Sequence, residues 1–160
     1  MVSTDALFRI AHAAEEAGKY ELARQSFERA ASLGCSACLT RLAYMFDVGI
    51  GVEVDKSRAM QLYKRAWRQG SEAAANNIAI LYRERGQHRL MFQWFLRAEK
   101  AGDEDALVEL AKCYLSGVGV RKSAQLALRC LASAVSSDCI TEASREEAEA
   151  LIEGMRPRTV

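Results

Sequence analysis

An all-α chain of stacked helix pairs is the fold class this sequence predicts, and three observations predict it. The dipeptides Ile10-Ala11, Leu42-Ala43, Ile78-Ala79 and Leu110-Ala111 recur at steps of 32, 36 and 32 residues. A second register, Arg29-Ala30, Arg65-Ala66, Arg97-Ala98 and Ser133-Ala134, steps by 36, 32 and 36. Periods of this length mark stacked repeats, each unable to bury its apolar face alone. Within each unit, small and large apolar residues stand three and four apart, which puts them on one helical face.

Taken in order, each first helix has a small residue four before its dipeptide (Ala6, Cys38, Ala74, Ala106) and Ala14, Phe46, Tyr82 or Tyr114 four beyond it. Alanine suffices at position 14 because the first unit has no preceding repeat to cover. Second helices carry Ala23, Ala59 and Ala127 four before Phe27, Tyr63 and Leu131, with Ala30, Ala66 and Ala134 three later. Small residues there let backbones approach closely. The third unit has Met91 before Phe95 and Ala98, predicting a looser or differently filled contact. Units one and three turn on a single glycine, Gly18 or Gly86, whereas units two and four use Gly49-Ile50-Gly51 and Gly117-Val118-Gly119. Glycine at a helix end accepts positive φ without a Cβ clash. No strand precedes either G-x-G pair and no full G-x-G-x-x-G follows, so neither reads as a phosphate loop. Repeats are expected over about 5–34, 37–70, 73–102 and 105–138, with a capping helix over about 140–155.

These residues carry a resemblance. Units two and four look like Sel-one-like repeats (SLR), relatives of the tetratricopeptide repeat: Ala or Cys, Leu-Ala, an aromatic, Gly-x-Gly-Val, an Ala and a final Ala. Unit one resembles a tetratricopeptide repeat through Ala6, Ile10, Ala11, Gly18, Tyr20, Ala23, Phe27 and Ala30. The resemblance covers about residues 5–138 and implies an α/α right-handed superhelix, a solenoid used as adaptor, scaffold or specific inhibitor and not as a catalyst.

Composition agrees. The 160 residues are half hydrophobic, with 22 basic against 21 acidic side chains and one proline, Pro157. With no linker-like stretch, a single repeat domain over 1–160 is expected. The N-terminus lacks a basic start followed by an apolar stretch, and no apolar run approaches ~18 residues, so a cytoplasmic protein without membrane contact is expected. The run from Ile140 to Met155 has Glu142, Glu146, Glu147, Glu149 and Glu153 against Arg145, the polar outer face that an open solenoid end requires. Residues 156–160 read as a frayed tail.

Chemistry-bearing groups are few. Cys35-x-x-Cys38 has the spacing of half a zinc site, but no second pair accompanies it and His12 and His88 lie far apart. Cys38 fills the small-residue slot and reads as a buried, reduced thiol, with Cys113 and Cys130 in helix packing and Cys35 and Cys139 in turns. An odd cysteine count argues against a disulfide framework. Glu15-Glu16 and Glu146-Glu147 diverge on their helices. No metal, cofactor, small-molecule substrate or catalytic residue is expected.

By the resemblance, first helices line a concave groove: Phe8, His12 and Glu15; Thr40, Tyr44 and Asp47; Asn76, Ile80 and Arg83; Val108, Lys112 and Leu115. Aromatic and aliphatic anchors with scattered charge suit peptide binding. Asn76, Arg83 and Lys112 are similar to part of a clamp for a peptide carboxylate. Trp67 and Trp94 stand outside the packing slots, either as core filler or as a second contact surface. The basic run from Lys56 to Arg68 could meet an acidic protein, and the absence of a recognised motif argues against nucleic acid. The expectation is a non-catalytic protein-protein interaction module binding a protein or peptide through Phe8, His12, Tyr44, Asn76, Ile80, Arg83 and Lys112, with Trp67 and Trp94 secondary. The alternative is a bacterial immunity protein that binds and neutralises a cognate toxin or effector.

Overall fold

The computed structural model describes residues 3–156, so the expected tail lies outside the described residues from Pro157 onward. Nine α-helices and no strand occur among the described residues: α1 (Thr4–Glu16), α2 (Tyr20–Ser32), α3 (Ser36–Val48), α4 (Lys56–Arg68), α5 (Ala73–Glu84), α6 (His88–Lys100), α7 (Ala106–Ser116), α8 (Ala124–Ser136) and α9 (Glu142–Met155). This is the all-α helical repeat expected. The chain divides between Ile78 and Ala79 into two compact units.

In the first unit α1 packs on α2, α2 on α3 and α3 on α4. The periodic residues form its core: Ala11, Ala23, Phe27, Ala30, Cys38, Ala43, Ala59, Tyr63 and Ala66 are fully buried. A large side chain so buried contributes about 1.5–3 kcal/mol. Ile10 departs from its register, because Leu42, Ile78 and Leu110 are buried while Ile10 is 44% exposed.

In the second unit α6 packs on α7, α7 on α8, and α9 on both α8 and α7. Met91 is buried with Phe95 and Ala98. Of the looser or differently filled contact expected there, the second is found: a flexible thioether stands where the other units have alanine. The capping helix covers a cluster of Val108, Ala111, Ala127, Leu131, Ala134, Ile140 and Ala148, with Leu151, Ile152 and Met155 packed against it. Arg145 fastens it, donating from its guanidinium to the carbonyls of Val135 (2.5 Å) and Ser137 (2.6 Å) at the end of α8. A cation there meets otherwise orphaned carbonyls at the negative end of the helix dipole. At the other end of the connection the Thr141 hydroxyl caps α9 and donates to Asp105.

The two kinds of turn have distinct geometry. In the short ones the amides of Lys19 and Gln87 bond to the carbonyls of Ala14 and Tyr82. In the long ones Asp55 and Ser123 donate their amides to Phe46 and Tyr114, then cap α4 and α8 with their side chains. The second glycine of each long turn is held against the preceding repeat. A Cβ on Gly51 would collide with the Cβ of Tyr20, and one on Gly119 with the carbonyl oxygen of His88. Tyr20 and His88 begin α2 and α6, directly after the short turns. A short turn thus leaves the space into which the next repeat's long turn reaches.

Candidate functional site

Each unit presents a cavity to which its first helices contribute. In the first, α1 contributes Phe8 and His12, α3 contributes Ala37, Thr40, Arg41 and Tyr44, and Ser71, Ala73 and Asn77 close a space of about 440 Å³. Helical spacing explains the set: Phe8 and His12 lie four apart, and Ala37, Arg41 and Tyr44 follow at steps of four and three, so each group shares a face. Phe8 is 36% exposed and Tyr44 37%. The His12 ring lies between Phe8 (4.3 Å between centroids, tilted) and Phe27 (5.2 Å, edge-to-face), which fixes its position over the core.

Polar groups around this cavity are partnered. Glu15 accepts three hydrogen bonds from Arg41, at 2.5, 2.9 and 3.1 Å, an ion pair in fork geometry that raises the Arg41 pKa. The guanidinium also lies 5.0 Å from the Tyr44 ring centre. Such bidentate pairing fixes both side chains and leaves the aromatic faces as the open chemistry. Thr40 and Ser71 share a hydrogen bond of 2.8 Å.

The second cavity, about 260 Å³, is lined by Arg83, His88, Met91, Glu109, Lys112, Cys113, Ser116 and Val118. Here charges are chained. Glu109 lies 3.2 Å from Arg83 and 2.6 Å from Lys112, and Lys112 reaches Glu147 of the capping helix at 3.0 Å. Burial works against the charged form of Lys112, yet its hydrogen bonds to Glu109 and Glu147 outweigh this and raise its pKa. Burial pushes the Cys113 thiol up to about 11, which favours its protonated form near neutral pH.

The structure thus brings Phe8, His12 and Tyr44 together in one cavity and Arg83 and Lys112 in the other. Ile80 is half-buried and lines neither. Asn76 is also outside the linings; its Oδ1 is buried without a hydrogen-bond partner, and the neighbouring Asn77 faces the first cavity. Trp67 and Trp94 are half-buried on α4 and α6, with Arg97 4.5 Å above the Trp94 ring.

Several groove expectations need correction. Asp47 is buried: it accepts from Lys56 at 2.6 Å and from the Tyr63 hydroxyl at 3.2 Å, tying α3 to α4. Val108 is 1% exposed and Leu115 packs on the same cluster, because α9 covers the last repeat where a further repeat would otherwise lie. The carboxylate clamp meets an internal competitor, since Glu109 already stands between Arg83 and Lys112. Cys35 and Cys38, read as reduced, are joined in a disulfide at the start of α3, where a residue pair three apart brings the sulfurs together. Arg41 and Glu109, and the pairing of Glu147 with Lys112, had no signal in the sequence because ion pairs between helices have no periodic signature.

Among the described residues no three His, Cys, Asp or Glu side chains cluster as metal ligands, and no helix is long and apolar enough to cross a membrane.

Helix pairs stacked in register, with accessible cavities on the first helices, define a helical-repeat solenoid. The family model of the Sel1 repeat matches residues 36–71 and 104–139, which fall on the second and fourth helix pairs. Sel1 repeats are generally protein-interaction modules, and proteins built from them are typically non-catalytic scaffolds. A Sel1 repeat protein from Oxalobacter formigenes is similar in structure, with TM-score 0.77 and 18% identity over 96% of this chain and 74% of that one. So is c5321, a protective antigen of uropathogenic Escherichia coli with an SLR fold, at TM-score 0.55 and 18% identity; the match spans 99% of this chain and half of that one. No curated protein matches the chain.

Proposed function

We propose that the chain is a non-catalytic adaptor that binds a protein or peptide across its first helices as one repeat domain. The observation that carries this reading is the first cavity, where Phe8, His12 and Tyr44 offer aromatic surface while the neighbouring charges are already paired with each other. A cavity of that size takes an apolar side chain or two, with hydroxyl and amide groups of Thr40, Ser71 and Asn77 at its edge to orient a backbone. Arg83 and Lys112 contribute recognition at the second cavity through the chain they form with Glu109.

The test is affinity capture from native lysate with wild-type protein beside a Phe8→Ala/Tyr44→Ala variant that circular dichroism shows to be folded. Loss of a stoichiometric partner with the variant is the expected result. A partner retained at full affinity overturns the assignment and moves the contact to the Trp67 and Trp94 surfaces. A single tight one-to-one partner that proves to be a toxin would make the chain an immunity protein; weak binding to several peptides would make it a general adaptor.

A further inference from the structure

We propose that Cys35 and Cys38 form a thiol-disulfide exchange site, with Cys35 the sulfur that is attacked and Cys38 the one that leaves. The inference is independent of the binding role above.

Three observations support it. First, the two sulfurs differ in access: Cys38 is fully buried in the small-residue slot, whereas Cys35 is partly exposed in the connection before α3. A thiolate in solution therefore reaches one sulfur and not the other. Second, Cys35 is the N-cap of α3, and its Sγ accepts the backbone N–H of Cys38 at 3.1 Å. An N–H donor at the positive end of a helix favours negative charge on Cys35 when that sulfur is released in the second exchange, and on its free thiolate. Third, the bond has little to stabilise. It closes a loop between residues only three apart, and the chain entropy removed by a cross-link shrinks with the loop. The first turn of α3 is already held by the amide of Cys35 on the carbonyl of Ala30 and by the amide of Leu39 on the carbonyl of Cys35.

The exchange balances as follows. A thiolate of a low-molecular-weight thiol attacks Sγ of Cys35; the Cys35–Cys38 bond breaks, a mixed disulfide forms, and Cys38 leaves as a thiolate that takes up a proton. A second thiolate attacks the outer sulfur of the mixed disulfide and releases Cys35 beside the Cys38 amide. Two thiols are oxidised to one disulfide while the protein's disulfide is reduced to two thiols. The reverse sequence, with an oxidised thiol, closes the pair again.

Glutathione serves as the probe, in a Cys139→Ser background because Cys139 is exposed and free. The folded protein, checked by circular dichroism throughout, is equilibrated in glutathione buffers, alkylated and mapped by peptide mass spectrometry. Reduction of Cys35–Cys38 in millimolar reduced glutathione without loss of helical signal is expected; a bond that opens only when the protein unfolds overturns the proposal. The two sulfurs are then separated with oxidised glutathione. Cys35 in a Cys38→Ser chain is expected to form a mixed disulfide at least about tenfold faster than Cys38 in a Cys35→Ser chain. Equal rates, or faster reaction at Cys38, overturn the assigned roles. If either serine variant fails to fold, the wild-type reduction alone decides between an exchangeable and an inert bond.

Discussion

Asp47 shows how one residue can mislead and then explain. Helical register puts it beside Tyr44 and Thr40, yet it turns into the α3–α4 interface, where Lys56 and the Tyr63 hydroxyl satisfy both carboxylate oxygens. A buried carboxylate is tolerated only with such partners, and removing one is expensive. Tyr63→Phe deletes a hydrogen bond to a charged group and is expected to lower stability by about 1.5–3 kcal/mol, read from denaturant unfolding. The same tyrosine makes stability depend on pH. Burial, and then the charge of Asp47, raise its pKa above the ordinary value of 10.0, and burial raises Cys113 from 9.0 to about 11. Both groups hold their protons more tightly when folded. Their contribution is complete below the unfolded pKa values and is lost as pH rises through 9 and beyond. Unfolding midpoints are expected to be level between about pH 7 and 8 and to fall toward pH 11, with Cys113→Ala flattening the first part of the fall. A level profile to pH 11 would contradict the burial of both groups.

Among the elements, the glycines of the turns separate into two kinds. Gly86 has positive φ but open space around its missing Cβ, while Gly119 has positive φ and the His88 carbonyl in the way. Gly86→Ala is expected to cost about 1–2 kcal/mol from backbone strain alone. Gly119→Ala adds a steric conflict with backbone, worth a further ~1–3 kcal/mol, so the two melting temperatures should differ clearly. Equal losses would mean that the close approach is easily relieved. Helix positions and turn types were legible in the sequence because they follow from spacing and glycine placement. What faces a cavity was legible only in part: Phe8, His12 and Tyr44 share the first cavity, and Arg83 and Lys112 share the second. Burial of Val108 depends on α9 arriving from outside the repeat pattern, and the pairing of Arg41 with Glu15 depends on side-chain reach between helices. The Cys35–Cys38 bond was open to sequence reading through its spacing, which a search for zinc ligands and long-range bridges passed over.

At the level of the whole molecule, the two ends of the repeat array are treated differently. The C-terminal end is closed by α9, with Ala148 buried and Leu151, Ile152 and Met155 against the cluster below. Ending the chain at Cys139 would leave Val108 and Leu131 uncovered and is expected to give a less stable protein that aggregates on light scattering, as repeat arrays without their polar caps do. Retained solubility and an unchanged melting temperature would show that the cap is dispensable. On α1, Ile10 is half-exposed, unlike Leu42, Ile78 and Leu110 at the same register position. The contacts of Gly51 with Tyr20 and of Gly119 with His88 couple a short-turn repeat to the long-turn repeat that follows it. The natural building block is therefore a pair of repeats, and Ala11 to Ala79 and Ala43 to Ala111 both measure it at 68 residues. Such an array can grow or shrink without disrupting a clasp only by whole pairs, so homologues of other lengths should differ from this chain by even numbers of repeats.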